Sequence, residues 1–166
     1  MKEGIVRTGY PADQVHVIPN AADLGLFAPG RARIAEAARA FRRRHDWLQG
    51  RPLVVYTGTI GRINGVDYLA RLAAEMSKLA PDLRFLVVGD GGEKAQVRET
   101  AARLGVLGSN FFIMDSLPKS EMPMILSAAD MATSLFIDLP EMRANSANKF
   151  FDSLASGTPL AITYQG

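Results

Sequence analysis

The sequence predicts a doubly wound α/β domain with a parallel sheet, and three observations carry the prediction. Short apolar, β-branched runs of strand length recur along the chain, stretches of helical periodicity separate them, and two of the runs end in glycine. Strands alternating with helices at this spacing make βαβ units, whose right-handed crossovers cover both faces of a parallel sheet. The 166 residues suit one domain, and an apolar share of 48% against 22% charged is enough for a core.

The elements follow in order. Val15-His16-Val17-Ile18-Pro19 is a short extended segment, ended by Pro19 and Asn20. Residues 31–48 place Ile34, Ala37, Ala38, Phe41 and Leu48 at helical spacing. Leu53 to Gly58 is a buried strand bounded by Pro52 and Gly58. Residues 66–79 return to helix, with Leu69, Leu72, Ala73, Met76 and Leu79 on the expected inner face. Phe85 to Val88 is a second strand, cut by Gly89-Asp90-Gly91-Gly92. A helix over 93–104 turns Val97, Ala101 and Leu104 inward and stops at Gly105. Phe111 to Met114 is a third strand, and 120–129 a short helix with Met122, Ile125, Leu126 and Ala129. A strand over 131–137, a helix over 146–156 closed by Gly157, and a strand over 160–163 complete the series.

Composition excludes several chemistries. No cysteine is present, so disulfides, thiolate metal sites and a cysteine nucleophile are ruled out. Two histidines, His16 and His45, make a histidine-rich metal centre a poor expectation, and both read as structural. A net charge of +2 is too weak a field to argue for nucleic acid. The first residues are not followed by a secretory hydrophobic region, and no apolar run reaches the ~20 residues of a membrane span. Arg39, Arg42, Arg43 and Arg44 are the one dense basic cluster. They read as a solvated helix end, where cations suit the dipole, with contact to an anionic membrane surface as the alternative.

In doubly wound sheets ligands bind beyond the carboxyl ends of the strands, near the switch in strand order. Three segments there stand out. Residues 58–65 space their glycines G-x-x-G-x-x-x-G, which matches neither the dinucleotide fingerprint nor the Walker loop. Such a loop lets backbone approach a phosphate, and it serves equally as a tight strand-to-helix turn. Gly89-Asp90-Gly91-Gly92 has the same two readings, with Asp90 a suitable turn residue. In the last helix Ala147, Phe150, Phe151, Leu154 and Ala155 form an apolar stripe. Asn145, Asn148, Lys149, Asp152 and Ser156 fall on the other side. That pattern fits a surface helix with a Lys149–Asp152 ion pair, or a helix whose N-terminus and Lys149 face an anion at the strand ends.

The ordered motifs resemble the C-terminal, donor-binding domain of the group 1 (family 4) glycosyltransferases. The matching runs are Val17-Ile18-Pro19-Asn20 with Asp23 and Leu26-Phe27, then Tyr56-Thr57-Gly58 through Gly65-Val66-Asp67-Tyr68-Leu69. Val87-Val88-Gly89-Asp90-Gly91, Ala128-Ala129-Asp130 and Asp152 through Pro159 follow in the family's order. Each is a weak signal alone; their order and spacing make the match specific.

The resemblance implies a Rossmann-like fold forming the C-terminal, truncated half of a GT-B architecture. It makes 1–14 a linker from a missing N-terminal domain and 15–166 an incomplete donor domain. The implied activity is retaining transfer of a sugar from a nucleotide diphosphate donor to a glycan or lipid-linked acceptor, which the missing domain would bind. Asn148-Lys149-Phe150-Phe151-Asp152 and Gly58-Thr59-Ile60-Gly61 are similar to a branch that builds bacterial surface polysaccharide. Carried over residue by residue, Gly58, Thr59, Gly61, Arg62, Asn145, Ser146, Asn148 and Lys149 face the donor diphosphate. Gly89, Asp90, Gly91, Ser116, Leu117 and Asp152 surround the nucleoside.

The chain departs from the family at the first Glu of its Glu-x7-Glu pattern, which here is Ala144, while the second is Asp152. The usual Arg and Lys of the glycine loop fall at Thr59 and Asn64. Glu141, Arg143 and Asn145 are the candidates for gripping the donor sugar, and Lys149 for supplying the missing cation. No metal or other cofactor is expected, and the location expected is the cytoplasm or the inner face of its membrane. A nucleotide-sugar epimerase of the same architecture and a non-catalytic nucleotide-binding module are the alternatives.

Overall fold

The computed structural model describes residues 2–27, 31–142, 145 and 147–164. Five strands form one sheet: β1 (Leu53–Thr57), β2 (Arg84–Val88), β3 (Phe111–Met114), β4 (Met131–Ser134) and β5 (Leu160–Ile162). All neighbours pair in parallel, in the order β3-β2-β1-β4-β5. The chain therefore winds outward from β1 through β2 to β3, then crosses back to lay β4 on the other side of β1. The switch in strand order lies between β1 and β4.

The helices are α1 (Lys2–Arg7), α2 (Leu24–Phe27), α3 (Arg31–Arg44), α4 (Asp67–Leu79), α5 (Lys94–Arg103), α6 (Met122–Ala128) and α7 (Asn148–Ser156). Every residue of β1 and β2 is buried, and alternate side chains feed two cores, one on each face of the sheet. Val54, Tyr56, Phe85 and Val87 pack under α4 and α5 with Leu69, Ala73, Val97 and Ala101. Leu53, Val55, Leu86 and Val88 pack on the other face with Phe41 of α3 and Ile125 and Leu126 of α6. This two-sided burial is why the strands read as continuous apolar runs rather than alternating ones.

Several expected boundaries shift. The 31–48 helix ends at Arg44, because His45 is extended (φ −115°, ψ 99°), and 46–48 form a separate 3-10 turn. Val15 to Pro19 joins no sheet, and Val17 and Ile18 are exposed. Leu72 and Leu79, expected inward, are exposed. The small Ala70 and Ala73 rest on the sheet and rotate the contact face of α4 away from them. Leu104 is likewise exposed, beyond the end of α5.

The basic cluster divides by geometry. Arg42 turns inward: its guanidinium donates to the carbonyl of Ala128 (2.6 Å) and to that of Arg51, and it lies 3.5 Å from Asp130 Oδ2. Asp130 Oδ2 also accepts the Leu53 N–H (2.8 Å), so Arg42 and Asp130 bolt the end of α3 to the starts of β1 and β4. Arg39 and Arg43 both pair with the exposed Glu36. Among the described residues, no helix is long and apolar enough to cross a membrane.

Candidate functional site at the strand switch

A cleft of about 690 Å³ opens beyond the carboxyl ends of the central strands. Thr57, Gly58, Thr59, Gly61, Ile63 and Asn64 form one wall, following β1. Val88, Gly89 and Asp90 come from the end of β2 and the turn after it, Ser116, Leu117 and Lys119 from the segment between β3 and α6, and Met122 from the start of α6. Asn148, Lys149 and Asp152 of α7 close the remaining side.

The glycine loop is held on both flanks by backbone. Gly58 N–H donates to Val88 C=O (3.0 Å), Ile60 N–H to Asp90 C=O (2.8 Å) and Glu93 N–H to Ile60 C=O (3.0 Å). On the other flank Ile137 N–H donates to Ile63 C=O (2.9 Å). Glycine is required where these segments touch. A Cβ on Gly89 would collide with the Gly58 carbonyl, and one on Gly91, at φ +150°, with the Ile60 carbonyl. Gly91 thus lies behind the wall, and its N–H donates to Asp90 Oδ1 (2.8 Å) as in a turn.

Helix α7 presents its polar side inward. Asp152 and Ser153 are buried while Leu154 is 59% exposed, which reverses the amphipathic reading of a solvated polar face. The expected Lys149–Asp152 ion pair is absent as well. Asp152 Oδ2 accepts from Lys119 Nζ, and Asp152 Oδ1 is buried without a partner. Lys149 Nζ donates to the Tyr56 hydroxyl (2.8 Å) and sits 4.3 Å from the centre of the Tyr56 ring. Tyr56 in turn donates to the carbonyl of Thr59 (2.7 Å). Burial pulls the Lys149 ammonium down to about 8 and pushes the Tyr56 phenol up. Ala147, at the N-cap of α7, has no side chain that could cap the first turn, and the Phe150 N–H bonds the Ala147 carbonyl (3.0 Å).

Of the residues singled out in the sequence, Gly58, Thr59, Gly61, Asn148, Lys149, Gly89, Asp90, Ser116, Leu117 and Asp152 line one cleft. Arg62 and Asn145 do not: Arg62 is exposed on the 3-10 turn after the loop, and Asn145 N–H bonds Met142 C=O. Arg143, Ser146, the Ala144 position and the side chain of Glu141 lie outside the described residues. Sequence reasoning missed Lys119, Asn64 and Tyr56. Lys119 meets Asp152 across 33 positions, and no periodicity marks such a pair. Among the described residues, no three His, Cys, Asp or Glu converge as a metal site would require.

The arrangement has the parts that could hold an anion. It combines close backbone, a helix N-terminus, one half-buried cation without a carboxylate partner among the described residues, and a buried acceptor oxygen deeper along the same helix.

Comparison with known proteins shows the family and the fold. The family described as glycosyl transferases group 1 matches residues 51–166. The 2-deoxystreptamine glucosyltransferase of Streptomyces kanamyceticus is 28% identical over 149 residues, covering 89% of this chain and 36% of the relative. The D-inositol 3-phosphate glycosyltransferase of Segniliparus rotundus is 28% identical over 163 residues, covering 95% and 34%. The chain thus spans about a third of the length of these curated relatives. Among solved structures, that of Anabaena Alr3699/HepE in complex with UDP-glucose superposes with a TM-score of 0.75 at 16% identity, over 99% of this chain and 43% of that one. At that identity the match shows the fold.

Proposed function

The chain belongs to the group 1 glycosyl transferases, and from that premise we propose that it is the donor-binding half of a retaining enzyme that transfers a sugar from a nucleotide diphosphate donor. The observation that carries the proposal is Lys149, a half-buried cation in the first turn of α7 that lies against the glycine loop at the strand switch. A diphosphate is the ligand such a site complements, since its charge needs both fixed amides and a cation.

Each wall takes a part. The diphosphate lies between Gly58–Gly61 and Asn148–Lys149. As the bond to the anomeric carbon breaks, negative charge builds on the leaving diphosphate, and Lys149 and the α7 amides stabilise it there without having to reorganise. Asp152 Oδ1, lacking a partner, accepts from the ribose hydroxyls, with Lys119 holding the other oxygen. The base lies against Gly89, Asp90, Ser116 and Leu117. A neighbour of the same fold was solved with UDP-glucose, which favours a uridine donor. The acceptor, a glycan or lipid-linked sugar of a polysaccharide pathway, is proposed to meet the donor from the rest of a longer enzyme acting in the cytoplasm. Because Lys149 and the amides supply the positive charge, donor binding is proposed to need no metal.

Calorimetric titration of the chain with UDP and GDP, in the presence of EDTA, tests the proposal. One-to-one binding that is lost in Lys149→Ala is expected. Indifference to that change, or binding that requires added Mg²⁺, would count against it.

A further inference from the structure

Tyr56 is absent from the walls of the cleft, yet it is the residue on which the half-buried Lys149 rests. Its ring is fully buried in the core under α4 and α5, and only its hydroxyl reaches the site. That hydroxyl has two partners with different demands. The Thr59 carbonyl, 2.7 Å away, can only accept, so the phenol proton is committed to it. What remains for Lys149 Nζ, 2.8 Å away, is a lone pair. A lone pair can be met by an ammonium N–H and favours the charged amine. The ring adds to this, with Nζ 4.3 Å from its centre, and the Phe136 ring stands farther off at 5.9 Å.

The other charged groups on the cleft leave this role open. Asp152, on the same helix, is held by Lys119, and Asp90, on the opposite wall, is engaged by its own turn and by Lys94 at 3.7 Å. Neither pairs with Lys149. Glycine at 58 leaves the space that the lysine stem needs: a Cβ there would lie 3.2 Å from Lys149 Cε.

We infer that Tyr56 is a positioning residue for Lys149: oriented by the Thr59 carbonyl, its hydroxyl keeps the lysine charged and aimed between the glycine loop and the start of α7. The inference rests on the donor-site reading above. It also couples the loop to the helix, because one hydroxyl bonds a backbone atom of the first and the cation of the second.

Tyr56→Phe tests it, since the variant keeps the ring and removes only the hydroxyl. Two quantities are read in the 166-residue chain: the NMR titration of the Lys149 Cε group, assigned with Lys149→Arg, and UDP affinity at pH 6 and pH 8. Taking the ratio of wild type to variant at each pH cancels the titration of UDP itself. The Lys149 midpoint is expected to fall by roughly one pH unit in the variant. Affinity should then be about fivefold weaker than wild type at pH 8, where the variant lysine is mostly neutral, and within about twofold at pH 6, where both are charged. Retained binding at pH 6 also reports that the variant is folded. An unmoved or raised midpoint, or an equal loss at both pH values, overturns the inference. If the wild type binds UDP and Lys149→Ala does not, such a result leaves the donor site standing. If the wild type binds no nucleoside diphosphate at either pH, the donor site falls and the inference with it.

Discussion

Gly89 and Gly58 meet so closely that neither strand end could sit where it does if Gly89 carried a side chain, because a Cβ there would overlap the Gly58 carbonyl oxygen. The contact brings the ends of β1 and β2 together and forms the floor of the cleft. Gly89→Ala is expected to destabilise the chain by about 3 kcal/mol or more, since backbone rather than a flexible side chain must yield. Gly92→Ala, where a Cβ meets nothing within 4 Å, is the control and should stay within about 1 kcal/mol of wild type. Chemical denaturation of the two variants decides between a packing glycine and a merely permissive one.

Arg42 and Arg39 lie one helical turn apart and should behave differently. Arg42→Ala leaves the carbonyls of Ala128 and Arg51 without their donor and is expected to cost about 2–3 kcal/mol. Arg39→Ala removes an exposed pair with Glu36 and should cost about 0.5 kcal/mol or less. Comparing their unfolding midpoints checks the division of the cluster. Equal losses would contradict it.

Lys149 sets a conflict between stability and binding. Its ordinary value of 10.5 falls to about 8 through burial. Below about pH 8 the folded and unfolded chains both carry the proton, and the folded state bears the full cost of the buried charge. Between about 8 and 10.5 only the unfolded chain holds it, so this group's contribution to stability rises with pH. Lys149→Met is therefore expected to stabilise the chain at pH 7 by about 1–3 kcal/mol, some part of the shift being offset by residual solvent. That is a melting temperature roughly 2–8 °C higher. A melting scan at pH 7 and pH 9.5 should show the gap between variant and wild type narrowing at the higher pH. A gap that widens would mean the charge is stabilised where it lies.

Asp152 offers one held oxygen and one free. Asp152→Asn keeps the shape and removes the charge, and is expected to weaken UDP binding by about tenfold. The same change should weaken 2′,3′-dideoxy-UDP little, because the ribose hydroxyls are what Oδ1 is proposed to meet. An equal loss with both ligands, measured by calorimetry, would assign Asp152 a purely structural role.

The centre of the sheet was legible in the sequence because burial on both faces makes β1 and β2 nearly continuous apolar runs, as in residues 53–56 and 85–88. Glycine marked the ends of β1 and β2, where the two backbones meet too closely for a Cβ on Gly89. Helix faces were less legible. Leu72 and Leu79 fit the helical period, yet the small Ala70 and Ala73 decide which side of α4 approaches the sheet. In α7 the period left two readings open, a solvated polar face or one turned to the strand ends, and the structure has the second, because a cleft can bury a polar face when long-range partners satisfy it. Those partners, Tyr56 for Lys149 and Lys119 for Asp152, stand 93 and 33 positions away and leave no local pattern. Arg42 is similar: three consecutive arginines look alike in the sequence, and only the carbonyls at Ala128 and Arg51 distinguish the middle of the cluster from its rim.

The central claim is that Lys149 at the strand switch recognises the diphosphate of a nucleotide donor. It is tested most directly by a cycle of four titrations, UDP and uridine each against wild type and Lys149→Ala. The account predicts that the diphosphate strengthens binding to the wild type at least tenfold over uridine, and that most of this advantage vanishes in the variant while uridine is unaffected. If UDP binds the wild type no better than uridine, or keeps its advantage without Lys149, the claim is contradicted.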